Sequence, residues 1–211
     1  MVIDIGANVG LFTCLAAQHG KHVLAFEPHP FNVKLLYRNL QMNGFVEVEV
    51  FPIALSNQMG VAALFGGGQG ATLVNGWCGI KSNYQNLTPL NTLNNAVSHR
   101  FAGQQMLIKM DVEGNEFSIL QKADSLIART PAPFWIVEHG LLENFSGVVN
   151  PHFEDLFNVF WSYGYNAYTV DAEKRLIKPA DVQRWITQRK RDFGTINYLF
   201  KHPTRLPAAL A

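Results

Sequence analysis

The chain has 211 residues, enough for one sizeable domain with an extended core and too few for two full domains joined by a linker. With 48% apolar and 16% charged residues it has too much hydrophobic surface and too little charge to stay disordered. Its 17 Lys and Arg against 16 Asp and Glu leave a formal charge of +1, so no global field favours a polyanion, and nucleic acid is not expected as the main partner.

Chain order starts with MVIDIG, a β-branched apolar run that breaks at Gly6 and reads as a buried parallel strand. Val9, Leu11, Phe12, Leu15 and Ala16 then recur at helical spacing up to Gly20. His22–Glu27 reads as a second strand, and a helix entered through Pro28 and Pro30 carries Val33, Leu36, Tyr37 and Leu40 on one face. With a third strand expected over Val46–Leu55, the rhythm is βαβαβ, a parallel sheet with helices on both faces. In the middle, Val61–Phe65 and Ala71–Val74 are expected to pair as a hairpin around Gly66–Gly70, and Gly76–Pro89 to be loop. Met106–Asp111 is a strand, followed by a helix that turns Ile119, Leu120, Ala123, Leu126 and Ile127 inward. Phe134–Glu138 is the next strand. A helix over about Phe153–Tyr163, a strand Tyr165–Val170, a helix around Asp181–Arg191 and a last strand Thr195–Phe200 suit an antiparallel pair closing the sheet. One domain over 1–202 is expected, with 203–211 a disordered tail.

Cys14 and Cys78 stand in no CxxC or Cys/His spacing, which argues against a disulfide framework or structural zinc and for a reducing compartment. The opening residues lack the basic-then-apolar layout of a secretory leader, and no run nears about 18 apolar residues, so a soluble cytoplasmic protein is expected.

The chemistry concentrates first in Asp4-Ile5-Gly6-Ala7-Asn8-Val9-Gly10. Small residues at a strand-to-helix turn let backbone approach a ligand, and the helix start offers free N–H groups. The dinucleotide fingerprint needs G-x-G-x-x-G, but Asn8 stands in place of the second glycine and Leu11 in place of the third, so a pyrophosphate fits poorly. Asp4 ends the first strand, placed to order the loop or accept from a cationic ligand group. Glu27 ends the second, where an acid can grip both hydroxyls of a ribose. This combination points to S-adenosylmethionine rather than NAD, against the alternative of a glycine turn kept for packing with Asp4 a helix cap. Gly6→Val is accordingly expected to block the ligand more than it unfolds the protein.

A second constellation is Lys109-Met110-Asp111-Val112-Glu113-Gly114-Asn115-Glu116. Alternation puts Lys109 and Asp111 on one strand face as partners, with Asp111 at a carboxyl end where doubly wound sheets bind ligands. Helix capping alone also accounts for Asp111, Glu113 and Glu116. The third is Glu138-His139-Gly140, whose imidazole is a candidate to take a proton.

Taken in order, VIDIGANVG, FEPHPFNVKLLYRNLQMN, IALSN, LIKMDVEGNE and IVEHG resemble the FkbM family of S-adenosylmethionine-dependent methyltransferases, from the first residues to about Gly140. The resemblance implies the class I methyltransferase fold: a doubly wound, mostly parallel, Rossmann-like α/β sheet of seven strands with an antiparallel last strand. It also implies S-adenosyl-L-methionine as cofactor and a hydroxyl of a sugar, glycan or polyketide-like small molecule as acceptor. On this likeness Asp4, Gly6, Ala7, Asn8 and Gly10 match the cofactor loop, Glu27 with Pro28 the ribose acid, Ala54, Leu55 and Ser56 the adenine side, and Asp111, Glu113 and Glu116 the acidic block. Asn94 stands where relatives usually have an aspartate, and the segment relatives usually carry ahead of the first strand is missing, as in a fragment or minimal domain.

Asp111 and His139, in either order, are expected to act as proton acceptor and orienting group without a metal, since no dedicated metal-loop spacing is present. The competing functions are an NAD-type oxidoreductase, disfavoured by Asn8, and a binding module that keeps the fold without turnover.

Overall fold

The computed structural model describes residues 1–77, 86–145 and 147–205. The first half alternates as β1 (Val2–Ile5), α1 (Leu11–Gln18), β2 (Val23–Phe26), α2 (Pro30–Met42) and β3 (Val48–Phe51). Three short strands follow, β4 (Ala54–Leu55), β5 (Gly60–Leu64) and β6 (Asn86–Asn91). Next come α3 (Leu93–Val97), β7 (Leu107–Met110), α4 (Glu116–Leu120), α5 (Asp124–Ile127) and β8 (Phe134–Glu138). The chain continues with α6 (Phe153–Ser162), β9 (Asn166–Thr169), β10 (Leu176–Ile177), α7 (Pro179–Gln188) and β11 (Asn197–Lys201).

The main sheet runs β10-β9-β11-β8-β7-β1-β2-β3. Its centre is parallel, and β11 lies antiparallel to both β8 and β9. Strands β1 and β2 are buried on both faces, which is why they read as unbroken apolar runs. From β1 the chain winds outward to β3, then returns on the other side of β1 at β7. The strand order therefore reverses between β1 and β7, and their carboxyl ends open a crevice. The core under this sheet is aromatic on the α6 side: Phe160 stacks on Phe200 at 3.9 Å between ring centres, and Phe157 meets Tyr198 edge-on at 4.9 Å.

Several expectations are corrected. The sheet has eight strands rather than seven, because the two-residue β10 adds a hairpin to β9. The third strand stops at Phe51: Pro52 lacks the N–H to continue the ladder, and Ala54–Leu55 joins a separate sheet ordered β4-β6-β5. The expected hairpin is reduced to one bridge, Phe65 with Thr72, while β5 pairs with β6, inside the stretch expected to be loop. The long helix after β7 is two short ones, separated by tight turns in which Lys122 and Ala123 donate to the carbonyls of Ile119 and Leu120. The five apolar residues named for it are nonetheless all buried. The expected tail does not begin at 203. Arg205 lies over the Tyr165 ring at 5.4 Å, and its carbonyl accepts from Ala132 N at 2.8 Å. Cys78, residues 79–85 and residues 206–211 lie outside the described part. No described helix is long and apolar enough to cross a membrane.

Candidate functional site

A cleft of about 250 Å³, open to solvent, lies at the carboxyl ends of β1, β2 and β7. Gly6 and Asn8 come to it from the turn after β1, Glu27 and Pro28 from the end of β2, and Ala54 and Leu55 from β4. Asp111, Val112, Glu113 and Asn115 enter from the loop after β7, and Glu138 from the end of β8.

Glu27 is 4% exposed, yet it lines the cleft. The backbone of Asn8 donates to its Oε2 at 2.9 Å, the backbone of His29 to its Oε1 at 2.9 Å, and Asn32 Nδ2 to Oε1 at 3.2 Å. Burial raises its proton affinity, and these three donors work against that rise. Asn8 adopts φ 52°, a left-handed conformation that asparagine tolerates, and this aims its amide at Glu27. The turn and the acid are thus one unit.

Asp4 is fully buried and does not line the cleft. Its Oδ2 accepts from Thr13 Oγ1 at 2.5 Å, and its Oδ1 lies 3.5 Å from Lys109 Nζ. Burial raises its proton affinity and Lys109 opposes the rise, and through Thr13 and Lys109 Asp4 orders the loop. Lys109 also donates to the Gly6 carbonyl at 3.0 Å and pairs with Asp111 at 3.4 Å, the same-face partnership read from strand alternation. Ala7 and Gly10 likewise serve packing. Ala7 joins Ala25, Leu36 and Leu40, and a Cβ on Gly10 would stand 2.3 Å from Leu36 Cδ1. Only Gly6 and Asn8 of the glycine turn face the crevice.

The acidic block divides by role. Glu116 is buried and accepts from Val112 N at 3.2 Å and Gly114 N at 3.1 Å, so it shapes the loop. Glu113, at φ 54°, accepts from Trp77 Nε1 at 2.8 Å, and burial raises its proton affinity. Asn115 donates to the Leu55 carbonyl at 2.9 Å, tying the loop to β4. Glu138 is half-buried; burial first, then Asp111, Glu113 and Glu116, push its pKa up to about 7.

His139 does not reach this cleft. Successive strand residues face opposite ways, so with Glu138 turned to the crevice the next ring turns to the core. It stacks on Phe153 at 5.4 Å, its Nε2 lies 3.2 Å from the His152 carbonyl, and it is 3% exposed. The structure brings Gly6, Asn8, Glu27, Pro28, Ala54, Leu55 and Asp111 together and leaves Asp4, Ala7, Gly10 and His139 outside. Asn94, the departure from the acidic pattern, donates to Asp124 Oδ1 and accepts from Ser125 Oγ at the surface, far from any chemistry.

One wall comes from residues that no motif singles out. Leu64, Gly68, Ala71 and Leu73 line the cleft from the segment between β5 and β6. That segment is held by Asn32 Nδ2, which donates to the Gly68 carbonyl at 2.8 Å, and by Thr72 Oγ1, which donates to the Glu113 carbonyl at 2.7 Å. The Trp77 ring covers Gly114 so closely that a Cβ there would meet it at 2.4 Å. The GGGQG run was the available signal, but it says nothing of which neighbour the turn leans on.

A parallel sheet that reverses order beside a glycine turn, with an acid ending its second strand and an antiparallel strand inserted between β8 and β9, has the class I methyltransferase fold. The chain belongs to the FkbM methyltransferase family, whose domain it matches over residues 4–167. A crystal structure of methyltransferase FkbM from Methylobacillus flagellatus KT superposes with a TM-score of 0.57 at 18% identity, covering 95% of this chain and 43% of that one. The WbdD structure superposes with a TM-score of 0.51 at 10% identity, covering 95% of this chain and 35% of that one. At these identities the likeness concerns the fold, and the chain spans under half the length of either protein. No curated protein matches it in sequence.

Proposed function

We propose that the chain binds S-adenosylmethionine in this cleft and transfers its methyl group to a hydroxyl of a sugar, glycan or polyketide-like small molecule. The observation that carries the reading is Glu27: a buried carboxylate on the cleft wall, ending the second strand, whose Oε2 accepts a single hydrogen bond. A carboxylate oxygen has room for two, so Oε2 keeps a site for a ribose hydroxyl. Asn8 Oδ1 is buried without a partner, an acceptor suited to a donor on the same ligand. Ile53, Ala54, Leu55 and Leu73 give the adenine an apolar slot.

S-adenosylmethionine supplies a methyl group already made electrophilic by its sulfonium. The protein's work is to hold donor and acceptor in line, keep water out and take up a hydroxyl proton. Among the described residues no three His, Cys, Asp or Glu are grouped as metal ligands. Binding of S-adenosylmethionine and its demethylated product by calorimetry, followed by mass spectrometry for a one-methyl gain on a panel of sugars and hydroxylated metabolites, tests the reading. Binding of NAD instead supports an oxidoreductase, and affinity for neither ligand supports a module without turnover.

A further inference from the structure

We propose that Glu138 is the group that takes the proton from the acceptor hydroxyl, an inference that rests on the methyl-transfer reading. Besides Glu27, five carboxylates line the cleft or the narrower cavity beside it, and four are committed. Asp111 is paired with Lys109 at 3.4 Å. Glu113 holds Trp77, and Glu116 holds the backbone of Val112 and Gly114. Glu143 accepts from the backbone of Leu141 and Leu142 and pairs with Arg191 at 2.5 Å. Among the described residues Glu138 alone of the five has neither a hydrogen bond nor an ion pair for its carboxylate.

Its position is also distinctive. Glu138 ends β8, one residue past the pairing of Val137 with Met110, so it stands beside Asp111 at the carboxyl end of the crevice. It lines two cavities at once: the large cleft, and a narrower one bounded by Trp77, Gly140, Phe145 and Asn150. The second cavity holds about 10 Å³, the room of a single water, so an acceptor hydroxyl meets Glu138 from the large cleft, at the edge where the two spaces join. Trp77 and Phe145, packed edge-to-face at 4.9 Å, offer an apolar surface on that side.

The charges around it fit the task. Lys109 faces it from β7, Asp111 and Glu113 from the following loop, Glu116 from the start of α4, and Glu143 lines the second cavity with Arg191 on its far oxygen. Burial and the surrounding acids poise Glu138 near neutrality, where a carboxylate is a stronger base than an ordinary glutamate while still ionised in part. In the step, the hydroxyl oxygen forms a bond to the methyl carbon as the carbon–sulfur bond breaks. The bonding pair leaves with sulfur, giving a neutral thioether. The hydroxyl proton passes to Glu138, which returns it to water after product leaves.

The test uses wild type and Glu138→Gln. In protein labelled with 13C-glutamate, the side-chain carboxyl resonance lost in Glu138→Gln is followed against pH, a readout that needs no acceptor. A midpoint above pH 6 is expected, and one at the ordinary glutamate value of about 4.3 overturns the proposal. Calorimetry with S-adenosylmethionine should give dissociation constants within about threefold of each other, as for loss of one neutral-side contact. With the first sugar that wild type methylates, kcat should fall by about 100-fold or more in Glu138→Gln. The wild-type rise in kcat between pH 6 and 8 should vanish with it, and Glu138→Asp should recover part of the rate. Wild-type rates, or an unchanged pH profile in Glu138→Gln, overturn the assignment while leaving methyl transfer intact. Failure of wild type to bind S-adenosylmethionine overturns the methyltransferase reading itself.

Discussion

Replacing Gly6 by alanine is expected to damage the fold before it touches ligand binding. The residue sits at φ +78°, a conformation that costs a side-chain-bearing residue about 1–2 kcal/mol. A Cβ there would stand 1.8 Å from the Asp111 carbonyl oxygen and 2.9 Å from the carbonyl carbon, both backbone atoms. A carbon–oxygen contact settles near roughly 3.3 Å, so the turn and the end of β7 must part by about 1.5 Å. Two bonds span that seam: Asp111 N donates to the Ile5 carbonyl, and Lys109 Nζ donates to the Gly6 carbonyl, each at 3.0 Å. Overpacking of this kind costs about 1–3 kcal/mol, which with the backbone term gives about 2–5 kcal/mol. For a domain of this size that is a fall in Tm of about 4–20 °C, read by calorimetry alongside a urea melt. A variant that melts within about 2 °C of wild type yet no longer binds S-adenosylmethionine would refute this reasoning. It would also restore the reading in which the space beside Gly6 belongs to the ligand.

Glu27→Ala should raise the dissociation constant for S-adenosylmethionine roughly 30- to 150-fold, about 2–3 kcal/mol. It should also lower stability by about 1–3 kcal/mol, because three donors lose their acceptor; unchanged affinity by calorimetry removes Glu27 from the site. For Glu138 the native pKa of about 7 lies above the ordinary 4.5, so the stability this one group contributes is fully present below about pH 4.5 and is lost as pH rises through about 7. Discounted for its partial exposure, Glu138→Gln should match wild type at about pH 4 and exceed it by about 1–2 kcal/mol at about pH 8. A stability gap independent of pH in paired melts contradicts the burial argument. Gly10→Ala, at φ +91° with its Cβ 2.3 Å from Leu36 Cδ1, should destabilise by about 2–4 kcal/mol. Combined with Leu36→Ala it should cost at least about 1 kcal/mol less than the sum of the two changes, and strict additivity would show that the contact is not felt.

The sequence determined by itself what depends on near neighbours in the chain. β8 is read to the residue, and β1, β2 and β7 to within a residue or two at either end, because β1 and β2, buried on both faces, and β7 and β8, fully buried on one, are mainly apolar runs. The acid at the end of β2 and the Lys109–Asp111 pairing follow from strand ends and period-two alternation, both local rules. The same alternation also separates Glu138 from His139, but it takes effect only once one of the two is known to face the crevice.

What the tertiary structure decided is what depends on distant partners. Polar composition makes Gly76–Pro89 read as loop, yet 86–91 is a strand that β4 meets only at Leu90 and Asn91, leaving Pro89 on an open side of the ladder. Its partner on the other side is Val61, far earlier in the chain. The cleft wall at Leu64–Leu73 exists because Asn32 and Glu113 hold it from two other elements. Gly6 and Gly10, alike as turn glycines in sequence, diverge because one stands against the Asp111 backbone and the other against the Leu36 side chain. Spacing along the chain shows which residues can meet a ligand. Which of them do is set by packing between segments far apart in sequence, where burial and neighbouring charge leave Glu138, and not His139, open to the crevice.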